Sequence, residues 1–385
     1  MRLASRMGRL GTETAFEVLA AARRLEAQGK DIVHLEIGEP DFDTPSNIIE
    51  AANKALHSGK THYTPAPGIP ELRQAIARYV SNTRGISVDP AQVVVVPGGK
   101  PIMFYAILAL IDEGDEVLYP NPGFPIYESM IRFVGGKAVP TPLREEKQFG
   151  LDVGELESLV TDRTKMVIIN SPANPTGGVL EAEDIKAIAK LAQERDLIVL
   201  ADEIYSRIIY DGSFSSIASL PGMPERTIIL DGFSKTYAMT GWRLGFGVMP
   251  EALAEPITRL MINSNSCTSA FTQYAGVEAL EGPQGEPAKM VQAFRERRQV
   301  IVEGLNSIPG FRCLNPAGAF YVFPNIEGTG MRSKQMEHHL LHNAGVAALS
   351  GTSFGAHGEG FVRFSYANSV ANIEKALERI AKSLA

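Results

Sequence analysis

The middle of the chain alternates short runs of aliphatic and β-branched residues with stretches of helical periodicity, and this alternation constrains the fold most. We predict strands at 93–96, 116–119, 166–169, 197–200, 227–230 and 244–248, and helices from 101, near 126 and over 182–194. Short buried strands that alternate with helices are typical of an α/β domain with a mostly parallel sheet covered by helices on both faces. The carboxyl ends of its strands are then the expected place for ligands.

The two ends of the chain do not show this regular alternation of strands and helices. Before the alternation we predict an amphipathic helix from 12 to about 28, a strand at 32–37, a Gly/Pro-rich turn at 38–41 and a helix at 46–57. After about residue 282 we predict a helix at 289–305, strands at 320–323 and 361–366, and a terminal helix from 370. A length of 385 residues favours two domains. We expect a large α/β domain at 44–282 and a smaller α+β domain formed by 1–43 with 283–385.

Charge and cysteine content argue against several classes of protein. The net charge of −7 and the scattered basic residues do not favour nucleic-acid binding. The two cysteines, Cys267 and Cys313, give neither a disulfide framework nor a zinc pattern. No run approaches the roughly 18 apolar residues that span a bilayer, and residues 1–7 lack the apolar core of a signal peptide. We expect a cytoplasmic protein without nucleic-acid or membrane partners.

Polar residues follow several of the predicted strands. Gly99 and Lys100 lie between the 93–96 strand and a helix, whose free amides can hold an anion. Asn174 follows the 166–169 strand, and Asp202 and Tyr205 follow the 197–200 strand. Taken singly, the glycine pair and the Asn-Pro pair are ordinary turns, and Asp202 suits a helix N-cap. The repetition at successive strand ends favours a site.

A lysine and two arginines complete this pattern. Lys235 follows the 227–230 strand among small turn residues, and Arg243 lies eight residues further on. A lone loop lysine is usually solvated, but in this setting we interpret Lys235 as an imine-forming amine beside a phosphate anchor. Arg363 lies in a predicted strand among aromatic residues. A buried guanidinium needs an anionic partner, for which a carboxylate is well suited.

Together these motifs resemble the fold-type I, class I pyridoxal-phosphate aminotransferases, in particular the bacterial branch of the aspartate aminotransferase family. The similarity runs from Ile37-Gly38-Glu39-Pro40-Asp41-Phe42 through 171–177 and Ser234-Lys235 to Arg363-Phe364-Ser365. The resemblance implies a homodimer that binds pyridoxal 5′-phosphate. It also implies ping-pong transfer of an amino group from an L-amino acid to a 2-oxo acid.

The resemblance assigns a role to each candidate residue. Lys235 is implied to be catalytic, forming an imine with the cofactor and carrying the Cα proton. Contacts with the cofactor ring are implied for Asp202, Asn174, Tyr205 and Phe124. Phosphate contacts are implied for Gly99, Lys100, Ser234, Arg243 and, from the second subunit, Tyr63. Substrate contacts are implied for Gly38, Asn174, Arg363 and Lys100, the last with the distal carboxylate of aspartate or glutamate. A solvated lysine at a helix start remains the alternative for Lys100.

Two residues depart from the family pattern, since Gly232 stands where a serine is common and Phe124 where a tryptophan or tyrosine is common.

A lyase or decarboxylase with the same cofactor remains an alternative, because the fold does not decide which Cα bond breaks. The 351–355 segment fits the Gly-x-Ser-x-Gly motif of hydrolases, but the residues after it do not favour the required helix. A non-enzymatic cofactor sensor would need a DNA-binding module, which we do not expect before Thr12. The histidines at 338, 339 and 342 lack acidic or cysteine partners, so we expect no metal.

Overall fold

The computed structural model describes residues 2–385, and a seven-stranded sheet forms its centre. The strands are β2 (Val93–Val96), β3 (Glu116–Asn121), β4 (Lys137–Pro142), β5 (Thr164–Asn170), β6 (Ile198–Asp202), β7 (Thr227–Gly232) and β8 (Gly245–Val248). Their order is β2-β8-β7-β6-β5-β3-β4. β8 runs in the opposite direction to the other six strands, which are parallel to one another. The predicted mostly parallel sheet is confirmed, whereas β4 was not predicted.

Helices cover both faces of this sheet. They are α2 (Ser46–His57), α3 (Pro70–Arg84), α4 (Lys100–Leu110), α5 (Ile126–Val134), α6 (Val153–Leu159), α7 (Ala182–Glu194), α8 (Glu251–Asn265) and α9 (Ala270–Glu281). Val94 and Val96 pack with apolar residues of α4, α5 and α8, while Val93 and Val95 pack with those of α2, α3 and α9. Successive strand side chains point to opposite faces, so a run of four valines is buried on both sides.

The remaining elements lie at the two ends of the chain. They are α1 (Ala15–Glu26), β1 (Val33–His34), α10 (Gly285–Asn306), β9 (Tyr321–Val322), α11 (Ser333–His339), β10 (Val346–Ala347), β11 (Leu349–Ser350), β12 (Val362–Ser365) and α12 (Val370–Leu384). β1 pairs with β10 in parallel, and β11, β12 and β9 form an antiparallel sheet. The pairing of β1 with β10 supports our proposal that 1–43 and 283–385 form one small domain. The strand predicted at 32–37 is much shorter, because the chain leaves the sheet after His34.

No helix among residues 2–385 combines the length and the apolar character that a membrane crossing requires. Within the same residues, no three or more histidine, cysteine or acidic side chains cluster as metal ligands would. His338 and His342 lie side by side, with their ring centroids 4.2 Å apart.

Candidate active site

A cavity of about 550 Å³ lies where β5, β6 and β7 end. Its wall combines residues of the central sheet with residues from both ends of the chain. The structure brings together eleven of the twelve predicted site residues, namely Gly38, Gly99, Lys100, Phe124, Asn174, Asp202, Tyr205, Ser234, Lys235, Arg243 and Arg363. Tyr63 is the exception, since it does not line the cavity and its side chain is 89% exposed.

Lys235 follows β7 and places its amine in the cavity. The Nζ atom donates a hydrogen bond to the carbonyl oxygen of Gly38. Burial lowers the pKa of Lys235 to about 8, and the positive charges of Arg363 and Lys100 add to this effect. Roughly a tenth of the amine is therefore neutral at pH 7, far more than for an ordinary lysine, and a nucleophile or a general base requires this neutral form.

Asp202, the last residue of β6, is a buried acid. Its Oδ2 atom accepts a hydrogen bond of 2.6 Å from the Tyr127 hydroxyl, and Oδ1 accepts one of 3.3 Å from the Ile204 amide. Burial raises the pKa of Asp202 to about 6, although both hydrogen bonds oppose the rise. A cationic or N–H donor in the cavity would stabilise this carboxylate further. The sequence analysis missed Tyr127, which is on α5 and meets Asp202 only in the tertiary structure.

Asn174 and Tyr205 contact residues from the C-terminal part of the chain. The Asn174 side-chain oxygen accepts a hydrogen bond of 2.9 Å from Arg363, and its backbone amide donates to Asn170. The Tyr205 hydroxyl lies 2.7 Å from the hydroxyl of Tyr321, which the sequence analysis did not single out. Burial raises the pKa of Tyr205 well above its usual value, so its hydroxyl remains neutral and can donate.

The turn before α4 packs against Arg243. Gly98 has a φ of +84°, and a Cβ atom added to it would lie 2.3 Å from Nη2 of Arg243. Arg243 donates a hydrogen bond of 2.8 Å to the Thr240 carbonyl and is otherwise exposed. A close guanidinium and the free amides at the start of a helix are an arrangement that can hold an anion, and we call it the anion site. Ser234 is buried nearby in the cavity wall.

Arg363 on β12 is buried at the other side of the site, with 3% of its surface exposed. One guanidinium nitrogen donates to the Asn174 oxygen and another to the Glu36 carbonyl, and the Nε atom has no partner within residues 2–385. The guanidinium carbon of Arg363 lies 4.5 Å from the ring centre of Tyr321 and 4.8 Å from that of Phe354. No carboxylate among residues 2–385 forms an ion pair with it. Burial lowers its pKa, so an anionic ligand would stabilise the charged form.

Lys100 is neither free in solvent nor isolated. Its amine forms an ion pair with Glu13, which the sequence analysis did not predict, and lies 5.4 Å from the ring centre of Phe124. Phe124 packs edge-on against Tyr127 at 5.6 Å. Ser353 of the hydrolase-like motif also lines the cavity, yet its buried hydroxyl has no hydrogen-bond partner within residues 2–385. A serine nucleophile needs an adjacent base, so this motif lacks the chemistry that its sequence suggested.

Residues 30–380 match the family described as aminotransferase class I and II. This chain belongs to that family. The aminotransferase is 44% identical to an aspartate aminotransferase of Pyrococcus abyssi over 359 residues, which cover 92% of each chain. It is 43% identical to an aromatic-amino-acid aminotransferase of Thermococcus litoralis, over 93% of each chain.

A solved structure supports the same assignment. The aspartate aminotransferase from Thermus thermophilus with maleate matches this aminotransferase with a TM-score of 0.96 and 38% identity, over the full length of both chains. The predicted fold-type I aminotransferase is therefore confirmed, and the protein is an enzyme that transfers amino groups. Enzymes of this family are generally dependent on pyridoxal phosphate.

Proposed function

We propose that the cavity binds pyridoxal 5′-phosphate and moves an amino group from an L-amino acid to a 2-oxo acid. The observation that carries this proposal is the convergence of three groups at one sheet edge. They are the amine of Lys235, the buried acid of Asp202, and the anion site between the turn before α4 and Arg243. A lyase or decarboxylase with the same cofactor would use the same three groups, and the match of residues 30–380 to aminotransferases is what favours amino transfer over these alternatives. Among residues 2–385, the hydrolase alternative lacks the base that a serine nucleophile needs.

The residues present fit the cofactor. The anion site suits the phosphate, which Ser234, Arg243 and the amides of Gly99 and Lys100 would hold. Asp202 suits the ring nitrogen, because a cationic N–H there would keep this buried acid ionised. The donors Tyr205 and Asn174 suit the ring oxygen, and the Phe124 ring can cover the ring face. When bound, pyridoxal phosphate supplies an electron sink for negative charge that develops at the amino acid Cα.

The chain's own residues perform the remaining tasks. Arg363 holds the substrate α-carboxylate with its unpartnered nitrogen, in a place where Gly38 and Asn174 also line the cavity. A neutral Lys235 amine would take the proton from the substrate Cα and, as the resulting ammonium, would donate it to C4′ of the cofactor, which a pKa of about 8 permits. Holding the carboxylate and the amine in one geometry contributes much of the rate. The second half of the ping-pong reaction uses the same groups with a 2-oxo acid.

We also propose a cytoplasmic homodimer in which Tyr63 contributes to the partner's phosphate site. The support for the dimer is the 89% exposure of this aromatic side chain. Tyrosine is enriched at protein–protein interfaces, so an exposed tyrosine outside the cavity wall is suited to one. Lys100 stays our candidate for contact with the distal carboxylate of an aspartate- or glutamate-type substrate, although its pairing with Glu13 means that such a contact must break an existing ion pair.

Replacing Lys235 with alanine tests the proposal. The wild-type protein with added cofactor should show the visible absorbance of lysine-bound cofactor, and one amino acid should convert it to pyridoxamine phosphate. Lys235→Ala should lose this absorbance and lower turnover by at least about 10²–10⁴-fold, since the general base is gone. Lys186→Ala, which alters an exposed lysine of α7, is the matched control.

An unchanged spectrum and rate in Lys235→Ala would refute the assignment of this lysine. Release of the substrate's carboxyl group, without pyridoxamine phosphate, would instead support a decarboxylase. A panel of amino donors against 2-oxoglutarate, oxaloacetate and pyruvate then identifies the substrates.

A further inference from the structure

The ion pair between Glu13 and Lys100 closes one side of the cavity. Glu13 lies just before α1, and its carboxylate contacts the amine at the start of α4, 87 residues away in sequence. The Glu13 side chain is 18% exposed and that of Lys100 is 49% exposed. Both residues line the cavity that holds Lys235 and Arg363. The ion pair therefore forms part of the cavity wall, with Glu13 on the buried side and Lys100 half exposed.

The negative charge of Glu13 acts on the reacting groups. Burial lowers the pKa of Lys235 and of Arg363, and Glu13 is among the carboxylates that oppose this effect at both residues. A substrate held by Arg363 close to Lys235 is consequently within electrostatic range of Glu13. A negatively charged substrate side chain is therefore repelled by the Glu13 carboxylate as well as attracted by the Lys100 amine.

The rest of this wall is suited to an uncharged side chain. Met103, Phe124 and Phe354 supply apolar surface to the cavity. The hydroxyls of Thr14 and Ser353 are buried there, and neither has a hydrogen-bond partner in the part of the chain that the structure describes. With Lys100 neutralised by Glu13, this part of the wall has no net charge. An aromatic or other neutral side chain can enter without disturbing the ion pair.

We propose that Glu13 determines substrate specificity by disfavouring amino acids with a distal carboxylate relative to neutral and aromatic amino acids, an inference that rests on the proposed transamination. An acidic side chain must displace Glu13 from Lys100 and then lie beside a like charge. Such a repulsive element is a common source of specificity. A neutral side chain incurs neither cost.

Glu13→Gln tests this role, because it keeps the size of the side chain and removes its charge. With the cofactor-loaded enzyme, kcat/KM for aspartate divided by kcat/KM for phenylalanine should rise by up to about fivefold, the upper end of the effect expected for a partly exposed ion pair. The dissociation constant of maleate should fall by a similar factor, while that of 3-phenylpropionate stays unchanged. Glu13→Asp keeps the charge and should leave the aspartate preference near the wild-type value. Glu17→Gln, an exposed position on α1, is the matched control.

The results separate the two proposals. Wild-type protein that transaminates no donor would refute the proposed function. Wild-type activity combined with an unchanged or lower aspartate-to-phenylalanine ratio in Glu13→Gln would refute only the role of Glu13. Equal loss of activity with both donors, at unchanged maleate affinity, would also refute it, because the contact would then support the site without selecting substrates.

Discussion

Replacing Arg84 with methionine should destabilise the fold strongly, because Arg84 is the cation of a buried cluster behind the active site. Its Nε atom donates to Glu203 at 2.9 Å, and Nη2 donates to Asp231 at 2.6 Å and to Ser206 at 2.9 Å. The side chains of Arg84, Glu203 and Asp231 are 1%, 4% and 3% exposed. Methionine has a similar length but no charge, so two buried acids lose their cation.

The expected cost follows from this burial. Removing one partner of a buried ion pair costs about 3–5 kcal/mol, because the remaining charge is left without compensation. An unfolding entropy of about 2.1 cal/mol/K per residue gives roughly 0.8 kcal/mol/K for 385 residues. The melting temperature should therefore fall by about 4–6 °C.

The cost should also depend on pH. Burial raises the pKa of Asp231 to about 7, and Arg84 opposes the rise, so the variant should have a still higher pKa. A folded-state pKa above the value of 3.8 for an unperturbed aspartate means that folding takes up protons, and stability falls as the pH rises through this window. The wild type stops losing stability near pH 7, where Asp231 becomes ionised in the folded state. The variant continues to lose stability above pH 7, because its Asp231 pKa is higher. The destabilisation should grow above pH 7 by up to about 1.4 kcal/mol per pH unit.

Thermal and denaturant unfolding at about pH 6.5 and pH 8.5 measure both effects. Arg78→Met is the matched control, since Arg78 is on the same helix and its ion pair with Glu281 is 58% and 46% exposed. The control should change stability by less than about 1 kcal/mol. A triple variant with Arg84→Met, Glu203→Gln and Asp231→Asn should recover much of the loss. A cost below about 1 kcal/mol for Arg84→Met, or the same cost at both pH values, would refute this reasoning.

Two further predictions concern the proposed cofactor site. Tyr127→Phe removes a hydrogen bond that lowers the pKa of Asp202, so the affinity for pyridoxal phosphate should fall roughly tenfold; equal affinity in a fluorescence titration of the cofactor-free enzyme would contradict this role. Tyr63→Phe should weaken cofactor binding by a similar factor if the partner subunit uses Tyr63. Mixing Tyr63→Phe subunits with inactive Lys235→Ala subunits should then restore some intact sites, and no gain in activity on mixing would argue against a shared site.

Local sequence patterns predicted the parts of this fold that depend on local chemistry. The valine run at 93–96 coincides with β2, and the helices at 46–57 and 182–194 coincide with α2 and α7. β4 was missed because its sequence, Lys-Ala-Val-Pro-Thr-Pro, is partly exposed at the sheet edge and lacks a continuous apolar run. The predicted strand at 32–37 was too long, since an apolar run alone does not show where pairing ends.

The candidate site also contains some residues that the sequence predicts and others that it does not. Asn174, Asp202 and Lys235 follow strands, and the topology of a parallel sheet brings strand ends together, so their convergence was predictable. Tyr127 and Glu13 were not predictable, because each acts through one contact with a residue 75 or 87 positions away. Such contacts depend on how helices and terminal segments pack, and a single sequence has no local signal for this packing.

The buried cluster follows from the same strand geometry as the active site. Asp202 is paired in register with Leu230, and both residues line the cavity. Successive side chains on a strand point to opposite faces, so the next residues, Glu203 and Asp231, are directed away from the cavity and into the protein. Two neighbouring acids there would repel each other, and Arg84 offsets that cost. A shift of β6 or β7 that displaced Asp202 would also break the contacts of Arg84. The buried cluster therefore helps to hold Asp202 in its place in the cavity.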